Sequence, residues 1–218
     1  MGRFRIIVSF SIVLLLFSTT GISGVVNIEP GLADFKVKHG NISVSISRNQ
    51  DPNATIASDF AKTSRRCPPF CAQPMVIAPG VKTIGEVELI EFMRTQLADG
   101  TGLLVDARTP DWYMRGTIPG SINVPYTDID SSLGAMELTI HDALTQFGAI
   151  QNSDESWDFT AVKTLVLWCN GPWCGQSPTA ILGLIDLGYP VDHILYYRGG
   201  MQLWQIFGLT VLPPAGDY

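Results

Sequence analysis

The chain has 218 residues, 46% of them hydrophobic, and 14 Lys+Arg stand against 20 Asp+Glu for a net charge of −6. That acidic balance argues against a nucleic-acid partner, which a basic surface would attract. The length suits one domain with an extension and is ample for a buried core, whereas two full domains would be cramped.

In chain order, Arg3 and Arg5 precede an apolar run from Ile6 to Phe17, followed by the small residues Gly21, Ser23 and Gly24. This is the pattern of a secretory signal peptide over residues 1–24. The run falls short of the ~20 apolar residues that a membrane span needs, so no membrane association is expected once it is removed; an uncleaved N-terminal anchor is the competing reading. Export places the chain in the periplasm of a bacterium, or outside the cell otherwise. In either place an even number of cysteines is ordinarily disulfide-bonded.

Residues 25–80 read as an extension and 81–218 as the domain. Within the extension, Phe35 and Val37, a turn at His39-Gly40-Asn41, and alternating Ile42, Val44 and Ile46 predict a β-hairpin. A polar connector covers residues 49–61. Cys67-Pro-Pro-Phe-Cys71 with Pro74, Pro79 and Gly80 then marks an irregular, proline-punctuated segment.

The domain opens at Thr83-Ile-Gly-Glu86, which fits a capping box, and an apolar face at Val87, Ile90, Met93 and Leu97 predicts a helix ending at Gly100. Leu103–Asp106 reads as a buried strand, Thr109-Pro110 as the start of a brief helix through Met114, and Ile122–Val124 as another strand. Residues 131–150 are expected to be partly helical and 151–161 a loop. The strand Thr164–Trp168, the helix Ser177–Leu187, the strand Ile194–Tyr197 and the helix Met201–Phe207 complete the domain. Strands alternating with helices imply an α/β fold with a small, mainly parallel sheet covered on both faces.

Cys169 is the first residue beyond a strand, where open α/β sheets place their ligands. Ser177-Pro178 reads as an N-cap and a first-turn proline, so the loop Cys169-Asn170-Gly171-Pro172-Trp173-Cys174-Gly175-Gln176 lies against a helix N-terminus that favours anions. Such a setting lowers a thiol pKa from its free value of ~8.5. Gly171 and Gly175 allow the backbone to turn its N–H groups inward. A thiolate over an anion cradle suits attack on a sulfur atom carried by an anionic leaving group.

Four segments in order resemble the rhodanese family of sulfurtransferases. Leu104-Val-Asp-Ala-Arg108 is similar to that family's strand with its Asp-x-Arg ending, and Gly116-Thr-Ile-Pro-Gly-Ser-Ile-Asn-Val-Pro125 to its Gly-His-Ile-Pro-Gly segment. Leu165–Cys169 is similar to the strand that delivers the nucleophile, and Gly199-Gly-Met-Gln-Leu-Trp204 to the closing Gly-Gly-x-x-x-Trp. The resemblance spans about residues 83–210. It implies a small α/β fold, a persulfide on Cys169, a small sulfur donor, a thiol acceptor or redox partner, and no metal or organic cofactor.

The departures are informative. Thr117 stands where the family often has His, and the loop is two residues longer than the usual Cys-x-x-Gly-x-Arg-Ser, with Gln176 in place of Arg. A missing Arg removes the planar fork that would grip thiosulfate, and Arg108 or Arg198 is left either to compensate or to serve as an ordinary structural charge. Asp106 either accepts loop amides or is structural. Trp173 either walls a pocket or is a plain loop residue, while Trp168 and Trp204 read as core.

Cys174 reads either as a resolving thiol that attacks the Cys169 persulfide or as an inert or structural partner. Cys67 and Cys71 read as a local disulfide, with pairing to the active loop or exchange with it as the competing readings; because this segment immediately precedes the domain, the extension is expected to pack beside that loop. Zinc is disfavoured by the long interval between the two clusters and by the two prolines between Cys67 and Cys71. A phosphatase needs Cys-x5-Arg, whereas Gly175 and Ala180 stand at the required positions. His39, His141 and His193 form no pattern with a cysteine. Three functions follow: a sulfurtransferase, a thiol-disulfide oxidoreductase using Cys169 and Cys174, and a non-catalytic binding module.

Overall fold

The computed structural model of the chain describes residues 24–212. The leader expected at residues 1–24 lies, apart from Gly24, outside the described residues. No helix among the described residues is long and apolar enough to cross a membrane.

The extension begins with a hairpin, β1 (Asp34–His39) and β2 (Ile42–Ser47), whose register pairs His39 with Ile42 across Gly40-Asn41. The domain follows as β3 (Lys82–Ile84), α1 (Glu86–Arg94), α2 (Gln96–Asp99), β4 (Gly102–Asp106), α3 (Pro110–Tyr113) and β5 (Ser121–Asn123). Then come α4 (Glu137–Gln146), the short antiparallel pair β6 (Ile150–Gln151) and β7 (Trp157–Asp158), β8 (Thr164–Trp168), α5 (Gln176–Asp186), β9 (Ile194–Tyr197) and α6 (Gly200–Ile206).

Five strands form one parallel sheet in the order β3-β9-β8-β4-β5. The central strands are apolar on both sides, as strands covered on two faces must be. Leu165, Leu167, Ile194 and Tyr196 pack with Leu144 of α4, Phe147 at its C-terminal cap, and Ala180, Ile181 and Leu184 of α5. The alternate residues Val166, Trp168, Leu195 and Tyr197 pack with Leu89 and Met93 of α1 and Met201 and Trp204 of α6. Val37, Ile46 and Phe60 join this second cluster. The extension therefore shares the domain's core.

Several boundaries differ from the sequence expectation for local reasons. The capping box shifts by two residues: Thr83 lies in β3 opposite Tyr196, and the Gly85 amide donates to the Glu88 carboxylate at 2.9 Å. Strand pairing outweighs the capping tendency of Thr83. The helix expected to run on to Gly100 breaks at Thr95, whose Oγ1 donates to Glu91 O at 2.7 Å; such back-bonding bends helices. Gly100, with φ of 82°, then terminates α2. The loop expected over residues 151–161 contains β7 and the end of β6.

Candidate active site

The C-terminal ends of β4, β8 and β9 converge, and the loop 169–175 leads from β8 into α5. Gly200 fixes this loop against α6. Its φ is +56°, and a Cβ there would stand 2.2 Å from Cys169 O and 2.7 Å from the Gly171 amide nitrogen. Only glycine allows so close an approach. The Met201 and Gln202 amides donate to the Cys169 and Asn170 carbonyls at 2.9 and 3.0 Å, and so hold the loop backbone from below.

The helix begins one residue earlier than expected. Gly175 is its N-cap and Ser177 sits inside the first turn. The correction changes the serine's role: Ser177 Oγ donates to Cys169 Sγ at 3.1 Å. Neutral Cys169 in turn donates to Cys174 O at 3.3 Å. Cys174 Sγ contacts Gln176 Oε1 at 3.7 Å, and both cysteines are free thiols.

The two thiols are driven apart electrically. Burial pushes Cys169 up, but hydrogen bonds from the Cys174 thiol, the Ser177 hydroxyl and the Ser177 and Gly171 amides outweigh it and leave this thiol below its ordinary range. Cys174 moves up, mainly through burial and further through the neighbouring Cys169 sulfur, against the Asn170 and Gln176 amides. Cys169 therefore ionises first while Cys174 keeps its proton. Of the groups expected to form an anion cradle, the Gly171 amide and the Ser177 amide at the helix start act on Cys169, Gly175 is not among them, and the Cys174 carbonyl also faces that sulfur.

Cys169 is only 2% exposed and Cys174 only 4%, a burial that the loop's composition does not disclose. The extension packs against the outer part of the same loop. The Arg65 guanidinium lies 3.6 Å from the centre of the Trp173 ring, and Phe70 meets the same ring edge-on. The Gln73 amide donates to Pro172 O at 2.8 Å. Trp173 Nε1 donates to Gln202 Oε1, and Gln202 Nε2 donates to Phe60 O. Cys67 and Cys71 are joined, with Cα atoms 4.6 Å apart, in the knuckle that carries Phe70.

The remaining sequence candidates lie around the loop in hydrogen-bonded networks. Asp106 and Arg108 are buried and paired, with Arg108 Nε on Asp106 Oδ1 at 2.8 Å and Nη2 on Oδ2 at 2.6 Å. Thr117 Oγ1 donates to the same carboxylate at 2.9 Å, so the position where the family often has His joins this buried network. Arg108 Nη1 reaches Asn170 Oδ1 at 3.3 Å, which ties the network to the residue beside Cys169. Arg198 places Nε and Nη2 on Gln73 O. Arg108 and the Nε and Nη2 of Arg198 thus bond protein acceptors, the arrangement that the structural alternative expects of them. Among the described residues, no group of three or more His, Cys, Asp or Glu could hold a metal ion.

The extension packs beside the loop as expected, through Arg65, Phe70 and Gln73, whereas sequence reading missed Tyr196 beneath it. The first three are separated from the loop by about a hundred residues of chain. Tyr196 was legible only through the register of β8 against β9.

Similar proteins include the HTH-type transcriptional regulator Rv0324 of Mycobacterium tuberculosis, 27% identical over 121 residues, which make up 56% of this chain and 42% of that protein. The chain thus spans less than half the length of this curated relative. Among solved structures, the human single-domain sulfurtransferase TSTD1 is 23% identical, with 57% of this chain and 95% of that chain covered and a TM-score of 0.39. The thiosulfate sulfurtransferase of Pseudomonas aeruginosa is 17% identical, with 62% and 20% covered and a TM-score of 0.41. The Rhodanese-like domain matches residues 89–206, more than half the chain and all of the strand-loop-helix unit around Cys169, and the protein belongs to that family.

Proposed function

We propose that the chain is an exported sulfurtransferase that carries sulfane sulfur as a persulfide on Cys169. The observation that carries this reading is the donor set on one sulfur: the Ser177 hydroxyl at 3.1 Å with the Gly171 and Ser177 amides. Preorganised donors of this kind stabilise a thiolate and an anionic persulfide alike. The Cys169 thiolate attacks the outer sulfur of a donor R–S–S⁻, an S–S bond forms, and RS⁻ leaves with the electron pair of the broken bond. An acceptor thiolate then attacks the outer sulfur of the Cys169 persulfide, and that electron pair returns to Sγ.

The loop from Cys169 to Ser177 contains no cationic side chain, so a thiol-borne persulfide suits it better than the dianion thiosulfate, which needs a positive clamp. With purified protein, turnover is expected to be faster with glutathione persulfide than with thiosulfate, and Cys169→Ser is expected to abolish it. Undiminished transfer by Cys169→Ser would reject the assignment. Export rests on the leader read from the sequence, and N-terminal sequencing of the mature protein tests it.

A second reading is favoured by the mutual influence of the two loop thiols, each of which shifts the ionisation of the other. Cys174 attacks the inner sulfur of the persulfide, HS⁻ departs, and a Cys169–Cys174 disulfide remains for an external dithiol to reopen. Its mark is sulfide release in one equivalent without an acceptor. A non-catalytic role, as the match to a transcriptional regulator would suggest, leaves the protein without any sulfur uptake.

A further inference from the structure

Tyr196 in β9 is 0% exposed, and its hydroxyl has no hydrogen-bond partner among the described residues. Buried hydroxyls are ordinarily satisfied, and an orphan calls for a reason. The β8–β9 register sets Tyr196 opposite Leu167, and both side chains pack in the cluster beneath α5. Strand alternation carries that same face two residues on to Cys169. The phenol lies within electrostatic reach of Cys169, Cys174 and Arg198, yet it hydrogen-bonds to neither sulfur. Mainly burial, and then the charge on Cys169, push its pKa above the ordinary phenol range, which keeps it a proton donor throughout the range in which Cys169 ionises.

We propose that Tyr196 is a catalytic hydrogen-bond donor to the transferred sulfur, idle at rest and engaged by the outer sulfur of the Cys169 persulfide. This rests on the sulfurtransferase reading above. Loading extends the side chain by one S–S bond, about 2.05 Å, and moves the negative charge onto the outer atom. The added atom thus brings a charged acceptor closer to a phenol that is buried and without a partner among the described residues. When the acceptor thiolate takes the outer sulfur, the electron pair returns to Sγ and the phenol is orphaned again. Its proton is shared throughout and never leaves the oxygen.

Tyr196→Phe tests this, because it keeps the ring that fills the core and removes only the hydroxyl. With glutathione persulfide as donor and dithiothreitol as acceptor, kcat is expected to fall roughly tenfold or more, as on loss of one preorganised donor, with the donor KM unchanged. Alkylation of resting Cys169 by iodoacetamide should keep its wild-type rate and pH midpoint. The melting temperature should hold or rise, since removing an unsatisfied buried hydroxyl sacrifices no bond.

Wild-type kcat in Tyr196→Phe would overturn the proposal, as would a lower melting temperature with slower resting alkylation, the signature of a structural tyrosine. If the wild-type protein itself takes up no sulfur, the sulfurtransferase reading fails and this proposal with it. Normal uptake in both proteins, with equal turnover, removes the tyrosine alone.

Discussion

Ser177 donates to Cys169 from inside the first turn of α5, so a residue that reads in sequence as a helix start is in space a neighbour of that sulfur. A hydrogen bond to a charged group contributes about 1.5–3 kcal/mol, and one pKa unit corresponds to 1.36 kcal/mol. In Ser177→Ala the Cys169 midpoint is therefore expected to rise by about one unit. The sign follows from the lost donor: the thiolate loses stabilisation, so less of it is present at a fixed pH. Iodoacetamide labelling near pH 7 should slow by roughly tenfold, and an unmoved midpoint would show that the serine is only a spacer.

At this scale the position of Cys169 was legible because a strand end, two glycines and a helix start are local signals. Asp106 and Arg108 were legible as a pattern but not as a role. Whether a charge faces a substrate or another buried charge depends on which strand lies beside it. Here Asp106 is answered by Arg108 and Thr117.

Among the elements, the segment from Phe60 to Gln73 has the most consequence for access. It has little regular structure, yet it holds Trp173 from two sides and its backbone is bonded to Pro172. Arg65 stacked on Trp173 contributes on the order of 1–2 kcal/mol when partly desolvated, and Phe70 adds about 0.5–1.5 kcal/mol. Arg65→Ala combined with Phe70→Ala is expected to free this segment and speed alkylation of Cys169 by roughly tenfold, the equivalent of about 1.4 kcal/mol of opening free energy. The midpoint should stay in place, since the donors to Cys169 are untouched. An unchanged rate in this double variant would mean that small reagents reach the sulfur by another route.

Elements with strong apolar periods, β4, β8, α5 and β9, were found within a residue or two. The break in α1 was missed because Thr95 bonds back to Glu91, and the β6–β7 pair because two-residue strands carry no period.

On the scale of the molecule, the alternation of strands and helices was enough to expect a covered parallel sheet, and the chain has one. Strand order was not legible, since an apolar period states which faces are buried but not which strand is the neighbour. That order is what makes the site: β8 lies between β4 and β9, so Cys169, the Asp106–Arg108 pair and Tyr196 meet at one end of the sheet. The extension was legible as a separate stretch of composition, but its share in the core through Val37, Ile46 and Phe60 was not. Its own alternation was readable, and its place beside the loop followed from chain order, whereas the core positions it fills depend on the whole fold.

The proposed function makes the Cys169 sulfur at this meeting point the nucleophile, with Cys174 beside it retaining its proton. Peptide mass mapping of the reduced protein after brief treatment with glutathione persulfide tests that placement most directly. The account predicts a gain of about 32 mass units, one sulfur atom, on Cys169, lost again on addition of dithiothreitol. Sulfur found first on Cys174, or on neither cysteine of the loop, would contradict it.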